Sequence, residues 1–145
     1  MLQLLGLYTE SVQLLASLPI IFIGEVSGRT FGVGDELLVQ FDMRFAGPRT
    51  LSTLKVGLSP TQRTGGVEYL YLTKLIGCGR ASVYLLSGGD VGAKTAAAKG
   101  WVNWAYDSVA ELCVAVDRLA QHIATFPRDA LNVTKAGINE DNPSP

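Results

Sequence analysis

Ile20-Ile21-Phe22-Ile23 is a short β-branched and aromatic run with no alternation between apolar and polar positions. A strand with one solvated face alternates. An unbroken run therefore argues for a strand covered on both sides, as in a parallel sheet flanked by helices. Gly24-Glu25-Val26 carries the strand on, and Ser27 to Gly34 is a turn-rich loop with glycines at 28, 32 and 34. Asp35 to Phe41 reads as a helix with two acids in its first turn. Asp42 to Ala46 reads as the next strand, closed by the turn residues Gly47-Pro48-Arg49. Strand, glycine loop, helix, strand is the unit of an α/β layer with parallel pairing, and the right-handed crossover rule limits how it winds.

The flanks fit the same plan. Leu4, Leu5, Tyr8, Val12, Leu15 and Leu18 recur at helical spacing until Pro19 stops the pattern. After two turns between Gly57 and Gly66, helical spacing returns over Val67 to Ile76 and Arg80 to Leu86, separated by Gly77-Cys78-Gly79. Asp90 and Gly100 bracket an alanine-rich helix, Ala93 to Lys99, and Trp101 to Ala105 returns to strand. Ser108 with Glu111 forms a capping box ahead of a stripe of Val109, Leu112, Val116, Leu119 and Ile123. A last helix spans Arg128 to Ile138. Residues 1–138 are expected to form one domain, and 139–145 a flexible tail. Three short strands leave open edges, and with 48% hydrophobic residues this predicts a homo-oligomer.

Charge and cysteine usage narrow the partners. Twelve basic and thirteen acidic residues, the basic ones scattered, offer no run to neutralise phosphates, so nucleic acid is excluded as a partner. Two distant cysteines and one histidine suggest neither a disulfide framework nor a metal site, which fits an intracellular, cytoplasmic setting. The apolar start lacks a basic leading region and carries Glu10, so it reads as folded protein rather than a signal peptide. Its longest uncharged run, Ser11 to Gly24, is too short to span a bilayer and contains Pro19, so no membrane role is predicted.

The order of these pieces resembles the crotonase superfamily, the enoyl-CoA hydratase/isomerase type. The resemblance is carried by Ser27-Gly28, Gly32-Val33-Gly34-Asp35-Glu36-Leu37, Asp42 to Ala46, Gly57-Leu58-Ser59-Pro60 and Gly65-Gly66. Downstream, the stretch from Leu72 to Asn103 is similar to the family's helix pair, aspartate turn, alanine-rich helix and closing strand. The resemblance implies a partial ClpP/crotonase fold, a core of short parallel strands with helices, covering Pro19 to Ile138. The family's N-terminal portion and C-terminal cover are expected to be absent.

The family polarises a thioester carbonyl with two main-chain N–H groups that stabilise an enolate-like intermediate. By position the resemblance makes the Val33 N–H one donor, with Gly32 and Gly34 allowing close approach. Glu36 matches the first of two family glutamates and is implied as acid/base, because a carboxylate can be tuned by burial to give and take a proton. Where the second glutamate is expected, Leu51 to Val56 contains no acid, and Thr53 is the nearest polar residue. Gly65 and Gly66 complete the implied substrate-binding set.

The implied activity is a lyase, hydratase or dehydratase, acting on an acyl thioester or related carbonyl compound, with CoA thioester as substrate and no cofactor. The alternatives are a non-catalytic assembly protein and a CoA-independent isomerase or decarboxylase of secondary metabolism. The family resemblance also specifies the oligomer as a trimer or dimer of trimers. Of the remaining residues, Asp35 is expected to be a solvated or capping acid, Asp90 a helix cap and Asp42 a strand-end anchor. His122 is expected at the surface or an interface, and Trp101 and Trp104 in core or interface.

Overall fold

The computed structural model describes residues 7, 10–11, 14–15, 17–48, 51–53 and 68–140. Among them the order is β1 (Ile23–Val26), β2 (Thr30–Phe31), α1 (Val33–Leu38), β3 (Met43–Ala46), β4 (Leu51–Thr53), α2 (Glu68–Ile76), α3 (Cys78–Ser87), β5 (Asp90–Gly92), α4 (Ala93–Lys99), β6 (Trp104–Ala105), α5 (Val109–Ile123) and α6 (Arg128–Glu140). Leu7, Glu10, Ser11, Leu14, Leu15 and Ser17 are also helical, and the chain leaves that helix before Pro19.

Gly24 sets how closely α1 sits on β1. A Cβ there would lie 2.6 Å from Leu38 Cδ1 and 3.0 Å from a ring carbon of Phe41, so only glycine fits without repacking. β1 pairs in parallel with β3, Ile23 opposite Met43 through Val26 opposite Ala46. β3 in turn pairs in parallel with β6, Phe45 opposite Trp104. The sheet order β1-β3-β6 is the expected parallel layer, but only Ile23 of the run at residues 20–23 lies in β1; Ile20 is 49% exposed and β1 alternates in burial with Glu25 exposed, so the strand is not covered on both faces as the run suggested. Its strand over Trp101 to Ala105 is shorter than predicted. Trp101 N–H still closes α4 by bonding the Ala96 carbonyl, and Asn103 N–H reaches Arg44 O, so the ladder begins only at Trp104.

A second sheet, β2-β4-β5, was not anticipated. β2 pairs in parallel with β4, and β4 in antiparallel fashion with β5. Its strands are two or three residues long, too short to show a period. Asp90 consequently begins a strand rather than capping α4, whose N-cap is Gly92. It lies 3.6 Å from Arg29 instead.

The main core gathers Val39 and Ala46 with Leu72 and Ile76 from α2, Ala81 from α3, and Ala93 and Ala96 from α4 around Trp101 and Val102. Tyr84 meets Trp101 edge-to-face at 5.4 Å between ring centroids. The small side chains on α4 let that helix approach the core closely. α5 is capped as predicted, Glu111 N–H donating to Ser108 Oγ at 3.1 Å. It covers β1 and β3 with Leu112 and Val116, which are buried, while Val109 stays 41% exposed. Trp104 is 62% exposed, so it is no core residue of the chain. α6 runs to Glu140, two residues beyond the predicted helix end.

Candidate functional site

The glycine loop ends at Gly32, whose φ of 56° and ψ of −128° suit glycine and strain any other residue. Gly32 O accepts from both the Asp35 and Glu36 N–H groups at 3.0 Å. No side chain caps the helix. The N–H groups of Val33 and Gly34 lie in the first turn, before any intrahelical acceptor is within reach, so they point out of the end of α1. Val33, implied as a carbonyl-polarising donor, is thus the first residue of the helix, and Glu36 follows it by three positions on the same face.

α1 is buried on most of its circumference. Gly34 and Leu37 make its exposed stripe, while Asp35, Glu36, Leu38 and Val39 are buried. Glu36 is 6% exposed, and it does not line the open cavity described below. Asp35 corrects the expectation of a solvated acid, being fully buried. Thr30 Oγ1 donates to its Oδ1 at 3.5 Å, tying β2 to α1 across the loop.

The charge facing Asp35 is Arg44 on β3, 6% exposed. Burial lowers the Arg44 pKa from its usual value, and the charges of Asp35 and Asp42 oppose that shift. Its Nε donates to Trp101 O at 2.9 Å and Nη1 to Phe41 O at 2.6 Å. The α1–β3 corner is therefore fixed by a buried cation flanked by acids. The signal in the sequence is a charged residue in the middle of a predicted strand, Arg44 within Asp42 to Ala46.

Thr53 lies on β4 directly across from Phe31, two residues before Val33, so the strand beside the glycine loop is the one that carries it. Ser52 lies opposite Thr30. Gly65 and Gly66 fall outside the described residues. Among the described residues no cluster of His, Cys, Asp or Glu could hold a metal. Beside the exposed stripe of α1 an open cavity of about 280 Å³ is lined by β1, Ser27 to Thr30, Gly34, Leu37, Leu38 and Phe41. His122 is at the surface, edge-to-face with Phe126. No helix among the described residues is long and apolar enough to cross a membrane.

The sequence model of the enoyl-CoA hydratase/isomerase family matches residues 6–143. A Mycobacterium leprae protein carrying the name of a probable enoyl-CoA hydratase is 31% identical over 121 residues, which cover 80% of this chain and 39% of the relative. Among solved structures, a Streptomyces avermitilis protein assigned to the enoyl-CoA hydratases superposes with a TM-score of 0.86 at 34% identity, covering 95% of this chain and 49% of its own. A monofunctional enoyl-CoA isomerase from M. smegmatis superposes with a TM-score of 0.82 at 25% identity, covering 92% and 62%. The chain thus spans between 39% and 62% of the length of these relatives, and the fold it shares with them is the parallel-strand and helix core described above.

Proposed function

Because the chain belongs to the enoyl-CoA hydratase/isomerase family, we propose that it supplies an acyl-thioester site in which Glu36 moves a proton and the Val33 N–H polarises the thioester carbonyl. The observation that carries this reading is the placement of a carboxylate, 6% exposed, one helical turn from a main-chain donor held by a glycine in a positive-φ conformation. An acid in that position can abstract or deliver a proton next to a carbonyl whose developing negative charge the donor stabilises. Arg44 and Asp35 hold the helix in place; they are positioning residues. The reaction proposed is hydration or dehydration of an enoyl thioester through an enolate-like intermediate.

A second reading, one-base isomerisation or decarboxylation, is favoured by a specific feature. The strand that lies beside the glycine loop, β4, brings Ser52 and Thr53 to Thr30 and Phe31, and no acid occurs from Leu51 to Val56. A hydroxyl can orient a substrate but cannot serve as a second general base near neutral pH. Self-association as a trimer or dimer of trimers belongs to the same proposal, supported by exposed Trp104, Val114 and Phe126. A monomer mass by light scattering would remove it.

Turnover of a short enoyl-CoA separates these readings. Hydration consumes the conjugated thioester absorbance, and proton exchange at the α-carbon in deuterated water reports enolate formation without hydration. Glu36→Gln is expected to lower either signal at least about 100-fold, because the amide cannot take up the proton. Its urea midpoint should stay close to that of the parent. An unchanged rate in the variant removes Glu36 from the mechanism, and no turnover or exchange by the parent chain removes the catalytic reading.

A further inference from the structure

Hydration moves two protons: the water loses one while the α-carbon gains one, and the proposed site so far holds one acid, Glu36. No acid occurs from Leu51 to Val56, but the second sheet brings one beside β4 from elsewhere in the chain. β5 runs antiparallel to β4, and the register sets Asp90 directly opposite Thr53, which is itself opposite Phe31. Positions opposite one another on neighbouring strands share a face of the sheet, so 31, 53 and 90 form one row. Two strand spacings, about 10 Å, separate the ends of that row. Val33 follows Phe31 by two residues.

The Asp90 carboxylate reaches back over β4 toward the glycine loop. Its Oδ2 lies 3.6 Å from Nη2 of Arg29, one residue before β2. Arg29 also lines the open cavity of about 280 Å³ beside α1. The two side chains are 57% and 44% exposed, so water reaches the acid, and a pair so exposed contributes little to stability. Local structure does not call for an aspartate here: Gly92 is the N-cap of α4, and aspartate is depleted in strands. A residue that contradicts its local structure without a structural gain marks a functional position.

We propose that Asp90 is the second proton carrier of the thioester site, taking the proton of the water that adds to the β-carbon. The inference rests on the thioester reading and selects hydration over the one-base alternative. As the water oxygen bonds to the β-carbon, its O–H bond breaks and the proton passes to the Asp90 carboxylate. The C=C electron pair moves through the α-carbon onto the thioester oxygen, giving an enolate stabilised by the Val33 N–H. Protonated Glu36 delivers its proton to the α-carbon, and exchange with solvent returns both acids to their starting states.

Hydration of crotonyl-CoA, compared with α-proton exchange of butyryl-CoA in deuterated water, tests it. Asp90→Asn should lower kcat for hydration about 100-fold and exchange less than about threefold, because only hydration needs the second carrier. Glu36→Gln should lower both. Equal losses of hydration and exchange in Asp90→Asn would give the residue a structural role and overturn the proposal, as would full hydration by that variant. Exchange without hydration by the parent overturns it while leaving the one-base reading standing. A parent that does neither overturns the thioester reading and this proposal together. Should Asp90→Asn not fold, Asp90→Ala decides the matter: added formate should restore hydration severalfold, and no response to formate overturns the proposal.

Discussion

Lys135 on α6 donates to Asp42 Oδ2 at 3.0 Å, and the same carboxylate oxygen accepts the Phe22 N–H at 2.8 Å. One acid thereby joins the start of the β1 strand segment, the start of β3 and the last helix. The lysine side chain is 6% exposed and the aspartate 20%. Removing one partner of so buried a pair leaves the other charge in a poorly solvated place. Lys135→Met should therefore lower stability by about 3 kcal/mol, read from urea unfolding. A loss below about 1 kcal/mol would show that Asp42 finds water or another cation instead.

Gly24→Ala tests the close contact of α1 with β1. The added methyl meets Leu38 Cδ1 at 2.6 Å and the Phe41 ring at 3.0 Å, inside van der Waals distance, and Leu38 is buried, so both side chains must repack. Overpacking of this kind costs about 1–3 kcal/mol. The expected result is a fall of that size in unfolding free energy. Since Leu38 lies two residues beyond Glu36, turnover of an enoyl-CoA should drop as well. A variant as stable as the parent would mean that α1 shifts freely on the sheet.

At Gly32 the backbone conformation, not space, is limiting: nothing lies within 4 Å of a Cβ built there, yet φ is positive. Gly32→Ala should cost about 1–3 kcal/mol through strain, or relax by turning the Val33 N–H away from its present direction. Under the proposed function the second outcome appears as a loss in kcat larger than in KM, because the donor acts on charge that develops in the transition state. Full activity in Gly32→Ala would separate the loop from the chemistry.

Cys113 Sγ lies 3.1 Å from Glu25 Oε1, placing a thiol on α5 against a carboxylate on β1. The hydrogen bond to Glu25, then burial and the charges of Glu25 and Asp117, raise the thiol pKa above its ordinary 9.0. A raised pKa means that the interaction is fully present below the ordinary thiol value and is lost as pH rises through the folded value. The thiolate is the reactive form, so Cys113 should alkylate slowly near pH 8.5. In a Cys78→Ser background, Glu25→Gln should speed iodoacetamide labelling of Cys113 severalfold by removing the opposing charge. An equal or slower rate would show that Glu25 does not govern this thiol.

The elements legible in the sequence are those whose cause is local. Ser108 and Glu111 identify the start of α5 because a cap uses residues three apart. The apolar run ahead of Gly24-Glu25-Val26 signalled a strand in this region, although the strand begins only at Ile23 and alternates in burial, because what covers each face depends on distant segments. The glycine loop and the order of motifs around it carry the family resemblance in the sequence itself, and Gly32 shows a local reason for one of them, a positive φ that favours glycine.

Other features depend on which surfaces meet. Asp35 and Glu36 look alike as first-turn acids, and the sequence does not show that both are buried; Asp35 has Arg44, from a strand that folding brings near, as a charge opposite it. Strands as short as Thr30–Phe31 and Asp90–Gly92 carry no period of their own; partners far away in sequence create them. Asp90 for that reason became a strand residue facing Arg29. The sequence alone determined the local elements and the motif order, because caps, turns and runs act within a few residues. Tertiary structure decided which acids were buried, which strands paired and where a cavity opened, because burial and pairing are settled between segments that only folding brings together.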